Sequence, residues 1–196
     1  MKDNIKKELI NEILNSAEFG TLALADKSNK PYSLPLNFVA VDGIIYFHGA
    51  KKGKKIDILK SNNKASFSVV DSYSVIPSFF SSTNELASSA THFFKSVIID
   101  GAIEFVSDYD EKVLALNKLM EKLQPEGKYQ NLVNTIYEKI VNATMIFKLI
   151  PDEIELKIRF GQRLNKERFE MVINHLKERN RPIDILTIEF MKQFRD

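Results

Sequence analysis

Between His48 and Asp57 the chain carries four lysines, Lys51, Lys52, Lys54 and Lys55, punctuated by Gly49 and Gly53. Glycine admits positive φ, so the backbone amides of such a bend are free to converge on one concavity. Lys54 and Lys55 stand directly before Ile56–Ser61, a stretch that reads as a short helix. Cations combined with the unpaired amides of a first helical turn make an anion site, most simply for a phosphate. Two other readings stand beside this one. The segment Gly49–Lys55 is one residue short of a P-loop, with Lys55 where that motif needs Ser or Thr for Mg²⁺. A run of lysines on a turn is also commonly nothing more than a solvated surface.

The remaining reactive residue types are sparse. Three histidines, His48, His92 and His175, are scattered along the chain, and there is no cysteine. That excludes disulfides, thiolate chemistry and cysteine metal sites, and shows no metal-ligand spacing. His48 ends a strand-like run and reads as a pocket-lining residue, His92 as a surface residue, and His175 as part of a helix. No residue stands out as an acid–base catalyst. Phe79-Phe80, set in a Ser-rich stretch, reads equally as the cap of a bound ligand or as a plug of local core. With 28 basic and 26 acidic residues the net charge is +2, which gives no case for a nucleic-acid partner. The first residues, MKDNIKKELINEIL, mix charges through the segment and do not read as a signal peptide. No apolar run is long enough to span a membrane. A cytoplasmic location is the expectation.

These residues need a scaffold, and the pattern suggests one. Ile5, Leu9 and Ile13 share a face of a helix over residues 3–15. Thr21–Ala25, Pro31–Val41, Ile44–His48 and Ala65–Val70 read as strands; Pro35 restricts the second to an edge or a bulge, and Asp42-Gly43 signals a tight hairpin. Residues 71–92 read as a long loop, and Phe93–Val106 as a long strand with a break near Gly101. Val113, Leu116, Met120 and Leu123 stripe one helix over 113–123; Leu132, Ile136 and Ile140 stripe another over 129–140, both as packing faces. Thr144–Ile150 and Ile154–Phe160 read as two strands turning at Pro151-Asp152. The tail, 165–196, returns to helix through Phe169, Val172, Ile173 and Leu176, with 182–196 ambiguous because Ile183, Ile185 and Thr187 alternate. Strands joined by short turns point to a mainly β, α+β protein: an antiparallel barrel with flanking helices.

Three segments in order, Gly20-Thr-Leu-Ala23, Pro31–Phe38 and Ile45–Leu59, with Ser96-Val97 before Gly101, resemble the FMN-binding split-barrel superfamily related to pyridoxamine 5′-phosphate oxidase. The nitroimidazole-reductase-like branch is the nearest in pattern. The resemblance covers roughly residues 10–160 and implies an FMN-binding split-barrel domain over 1–164; the tail has no counterpart in it, and 165–196 is expected from its own pattern as a helical extension packed on the barrel. It implies a homodimer with FMN at the seam. By position, Leu34, Pro35, Leu36 and Asn37 would run along the isoalloxazine. His48 and Gly49 would lie beside the ring or ribityl chain, and Gly53, Lys54 and Lys55 would take the phosphate, with Lys51 and Lys52 as further candidates. Ser96 and Phe94 would approach from the partner subunit. Where the branch often has Gly-Lys, this chain has Gly161-Gln162, leaving Arg159 or Arg163 to compensate.

The implied activity is that of an FMN-dependent oxidoreductase, of the flavin-reductase or nitroreductase type. It would take electrons from reduced nicotinamide and pass them to a small acceptor. The alternatives are a flavin-binding protein without turnover, or a haem-binding one with His48 or His92 as axial ligand.

Overall fold

Phe19–Ala25 alternates exposed and buried side chains, as a strand with one face on a core must. It forms β1 and pairs antiparallel with β2, Pro31–Asn37. The computed structural model describes residues 3–84 and 86–195; Met1, Lys2, Glu85 of the Ser-rich stretch and Asp196 of the tail lie outside them. The further strands are β3 (Val39–Val41), β4 (Ile44–Gly49), β5 (Lys64–Ile76), β6 (Thr91–Phe105) and β7 (Met145–Arg159). The helices are α1 (Asp3–Ser16), α2 (Lys54–Ser61), α3 (Tyr109–Leu123), α4 (Glu138–Ala143), α5 (Lys166–Arg179) and α6 (Pro182–Gln193). The strands form one seven-stranded sheet in the order β2-β1-β5-β6-β7-β4-β3.

The two ends of that order are held together by the chain. β2 and β3 are the opposite edges of the sheet, yet only Phe38 separates them in sequence. The sheet must therefore curl on itself, giving the antiparallel barrel expected from the strand pattern and the split barrel that the resemblance implied. Phe38 is fully buried at this closure and meets Phe67 edge to face, with ring centres 4.9 Å apart. Pro35 sits in β2, an edge strand, where a missing N–H costs no ladder bond. Asp42 and Gly43 both take positive φ, 51° and 83°, and close the β3–β4 hairpin.

The chain divides into two compact units, Met1–Val69 with Val97–Leu156 and Val70–Ser96 with Lys157–Asp196. In the first, the main core gathers Ile13, Leu22, Phe47, Phe67, Val97 and Phe147 inside the barrel. A smaller cluster, Val39, Tyr46, Ala115, Leu119 and Ile146, lies under α3. In the second unit Phe93, Phe160, Phe169, Val172, Leu176 and Met191 form the core. The tail belongs to this second unit. Its ambiguous stretch is helical: Asn180 ends α5 at φ 48°, Pro182 opens α6, and the Asp184 carboxylate accepts from the Arg181 amide at 3.1 Å.

Four local expectations need correction. α1 buries Leu9, Ile10, Ile13 and Leu14, whereas Ile5 is exposed. The helix expected over 129–140 does not form. Asn131 Oδ1 accepts from the Val133 amide at 3.0 Å and Asn134 Oδ1 from the Ile136 amide at 3.1 Å. These side chains take backbone donors into local turns, so only a 3-10 turn (Thr135–Tyr137) and α4 remain. Ile136 and Ile140 are 70 % and 61 % exposed, not a packing face. No turn occurs at Pro151-Asp152: β7 runs through it, since Gly101 has no side chain to obstruct the Ile150 carbonyl. Finally, β5 continues to Ile76, taking over the start of the expected long loop.

Candidate functional site

The basic bend leaves β4 at Gly49 and enters α2 at Lys54. Gly53 is the N-cap residue, at φ 114°, a conformation that L side chains rarely adopt. Its carbonyl accepts from the amides of Ile56 and Asp57, at 2.9 and 3.1 Å. Glycine has no side chain with which to cap the helix, so the first-turn amides of α2 have no side-chain acceptor.

Lys55 is half-buried and folds back over the bend. An ideal Cβ built on Gly49 would lie 2.7 Å from its Nζ, so the absence of a side chain at 49 is what lets the ammonium approach. The same nitrogen is 4.7 Å from the centre of the Phe147 ring, which stacks on Phe47 in the barrel core. Burial holds the Lys55 ammonium below the ordinary lysine range. The His48 imidazole is held below its ordinary range too, first by burial and then by the positive charge of Lys55. Among the described residues no carboxylate forms an ion pair with Lys52, Lys54 or Lys55. A cation stripped of part of its water and given no counter-ion is a group that a bound anion stabilises strongly.

The proline strand reaches the same place. Lys54 Nζ lies 4.3 Å from the centre of the Tyr32 ring on β2. Along β2, Leu34 and Leu36 are half-buried against the barrel core, Pro35 points outward, and Asn37 Nδ2 donates to the Glu18 carbonyl at 3.0 Å. Lys51 is engaged elsewhere: its ammonium donates to the Asn142 carbonyl at 2.6 Å, at the end of α4. The structure thus brings Gly49, Gly53, Lys54 and Lys55 together with Tyr32 of the strand carrying Leu34, Pro35, Leu36 and Asn37. His48 shares the face of β4 that carries Tyr46, since strand side chains alternate.

The other candidates lie in the second unit. Ser96 is buried on β6, and Phe94 is half-buried with the Lys157 ammonium 5.7 Å from its ring centre. Of Phe79 and Phe80, only the second plugs local core. Phe80 is buried and stacks on the His175 ring at 4.8 Å, whereas Phe79 is 59 % exposed. His92 is exposed, yet its Nε2 lies 3.0 Å from Ser72 Oγ and 3.1 Å from the Tyr73 carbonyl oxygen. Sequence reasoning missed Tyr32 and Phe147 at the bend. Both read only as strand aromatics, and nothing local marks either as the neighbour of a lysine ammonium.

Solved structures of similar fold include three informative ones. A putative 5-nitroimidazole antibiotic resistance protein from Bacteroides thetaiotaomicron superposes with a TM-score of 0.61 at 21 % identity, over 76 % of this chain and 82 % of that one. The flavocytochrome Anf3 from Azotobacter vinelandii gives 0.66 at 21 % identity, over 81 % and 72 %. An FAD- and haem-binding protein from Mycobacterium smegmatis gives 0.58 at 19 % identity, over 78 % and 70 %. A search of curated proteins by sequence finds no match. The family model described as pyridoxamine 5′-phosphate oxidase matches residues 6–158, a span that takes in the barrel strands β1–β6, the basic bend and nearly all of β7. By that match the chain belongs to the pyridoxamine 5′-phosphate oxidase family.

Proposed function

We propose that this protein is an FMN-dependent oxidoreductase. The observation that carries the reading is the pair of lysines, Lys54 and Lys55, at the open first turn of α2, without acidic partners and in contact with the strand expected to hold a flavin ring. The residues fit the cofactor. A phosphate monoester is a dianion, and the bend offers two ammonium groups and the first-turn amides of α2. β2 offers exposed backbone on an edge strand beside it, where polar ring edges are able to meet main-chain groups. The kinship with a flavin- and haem-related group of folds is consistent with this, since one of the structural neighbours is named as FAD- and haem-binding and another as a flavocytochrome.

Bound FMN would supply the redox chemistry, taking a hydride from reduced nicotinamide and passing electrons to a small acceptor such as a nitro compound, a quinone or a second flavin. The chain itself anchors and orients. Lys55 and Lys54 neutralise the phosphate, Gly49 keeps the space through which Lys55 reaches, and Leu34–Asn37 form the wall for the ring. In this reading the active form is a homodimer, with Ser96 and Phe94 completing the site of the other copy. No helix among the described residues is long and apolar enough to cross a membrane, and the proposed location is the cytoplasm.

The test is a titration of the purified protein with FMN, followed in the visible spectrum, together with its mass by light scattering. Saturable binding at micromolar FMN by a dimer, and oxidation of reduced nicotinamide in the presence of a nitroaromatic acceptor, are expected. No uptake of FMN would overturn the proposal. Uptake without turnover would leave a binding protein, and a haem titration that gives a Soret shift in place of FMN binding would redirect the assignment to haem.

A further inference from the structure

Beside α1 the first unit holds a cavity of about 520 Å³ that the flavin reading does not use. One wall is a face of the helix. Lys7, Ile10, Asn11, Leu14 and Asn15 recur at spacings of three and four and so lie along one stripe. The opposite wall is Ala40 of β3 and Asp42 of the turn that closes the β3–β4 hairpin, and Ile154 of β7 completes the enclosure. Ile10 and Leu14 are buried members of the barrel core, and Ala40 and Ile154 are half-buried against that core. These four aliphatic residues make the floor apolar. Lys7, Asn11, Asn15 and Asp42 are exposed and form a polar mouth above it. Neither Lys7 nor Asp42 forms an ion pair among the described residues.

We infer that this cavity is a binding site for an apolar α-amino acid. Its mouth carries one cation and one anion, supplied by different elements. A ligand with a single charge would satisfy one of them and leave the other without a counter-ion, whereas a zwitterion pairs with both. Lys7 takes the carboxylate and Asp42 the ammonium. The Asn11 and Asn15 amides each donate and accept, so they serve either end of the ligand. The aliphatic floor takes the side chain out of water. The size decides against a simple ion: this volume is in the range of pockets for small organic ligands. The site also stands apart from the basic bend. The hairpin turn and the bend lie at opposite ends of β4, whose six residues span roughly 17–20 Å.

Calorimetric titration of the full-length protein with L-phenylalanine tests this. Three truncated ligands accompany it: phenethylamine, which lacks the carboxylate, 3-phenylpropionate, which lacks the ammonium, and L-alanine, which lacks the ring. L-phenylalanine is expected to bind saturably, and each truncated ligand at least about tenfold more weakly. Lys7→Gln should weaken L-phenylalanine by about tenfold and leave phenethylamine unchanged, because that amine has no carboxylate for Lys7 to meet. Asp42→Asn should do the same for the pair L-phenylalanine and 3-phenylpropionate. Circular dichroism should show both variants folded: Lys7 is exposed, and Asn tolerates the φ of 51° at position 42. Lys55→Ala should leave the L-phenylalanine affinity unchanged while reducing that for FMN, so the two sites fail or succeed separately. Absence of saturable L-phenylalanine binding to the wild-type protein, equal affinity for any of the three truncated ligands, full binding by the Lys7→Gln/Asp42→Asn double variant, or loss of binding in Lys55→Ala would each overturn the inference.

Discussion

The Lys54 ammonium sits 4.3 Å from the centre of the Tyr32 ring, and this contact ties the basic bend to the edge strand that precedes it. Tyr32 and Lys54 are 22 positions apart in sequence, with β3 and β4 between them, yet the curled sheet returns one to the other. A phosphate on the bend and a ring on the strand are thereby within reach of one ligand.

Removing the half-buried cation should cost the most. Lys55→Ala is expected to weaken FMN binding by about 10- to 100-fold, as befits the loss of a charge-assisted hydrogen bond of roughly 1.5–3 kcal/mol. Lys51→Ala should change it little, because that ammonium is already bound to the Asn142 carbonyl. Fluorescence titration of the three proteins provides the comparison, and equal losses in both variants would contradict the assignment.

Gly49 offers a different test of the same geometry. A methyl group there would meet the far end of a flexible lysine, not backbone. Gly49→Ala should therefore stay close to wild-type stability, within about 1 kcal/mol, while displacing the Lys55 ammonium and lowering FMN affinity. Unchanged affinity would mean that the position of Lys55 is unimportant.

Acid should unfold the second unit through Asp184. This fully buried carboxylate accepts from Arg179 Nη2 at 2.6 Å and from Ser74 Oγ at 2.6 Å. The Arg179 guanidinium leads in holding its pKa down to about 2, from an ordinary 3.8. Between these values the unfolded chain binds the proton and the folded one does not. The stabilisation is thus complete above about pH 4 and is lost as pH falls through 2, amounting to about 2 kcal/mol. Asp184→Asn should flatten this acid limb and lower stability at neutral pH by about 3 kcal/mol, since Arg179 is left unpaired. Urea melts at a series of pH values measure both.

Lys122 should act in the opposite direction. Its ammonium donates to the Leu14 and Phe38 carbonyls, at 2.8 and 3.0 Å, and burial pushes its pKa down to about 8 from 10.5. From pH 8 to 10.5 the unfolded state keeps a proton that the folded state releases, so this residue's contribution to stability rises with pH across that window. The neutral amine still donates to both carbonyls. Wild type minus Lys122→Met should accordingly gain of order 1–3 kcal/mol over the window, and a flat difference would refute the shift.

Gly101 has no room for a side chain. A Cβ would fall 2.0 Å from the Ile150 carbonyl oxygen and 3.1 Å from Pro151 Cα, and both belong to backbone. Gly101→Ala should cost about 3 kcal/mol or more, at the upper end for overpacking. Gly20→Ala, whose obstacle is the Phe67 ring, is a useful comparison in thermal melts.

Much of the barrel was legible one residue at a time. Asp42-Gly43 announced its hairpin because positive φ at two successive positions suits few other pairs, and Pro35 announced an edge because it cannot donate to a ladder. The expected helix over 129–140 failed for a reason equally local but weaker in pattern: Asn131 and Asn134 prefer their own backbone amides. Pro151 misled because its effect depends on Gly101, some fifty positions away, which lets β7 pass straight through. The resemblance that covered residues 10–160 carried the fold and the family, and it offered no guide to the tail.

The sequence by itself determined which groups are available: a glycine-punctuated lysine bend, a helix start behind it, and strands of fitting period. Those are properties of neighbours along the chain, where φ preferences and side-chain alternation act directly. Only the tertiary structure decided which charges lack partners and which have lost water. Lys55 over Gly49 and Phe147, Lys122 between two carbonyls, and Lys7 and Asp42 at one cavity between α1 and the β3–β4 hairpin depend on folding distant segments together, because desolvation and Coulomb interaction follow distance in space.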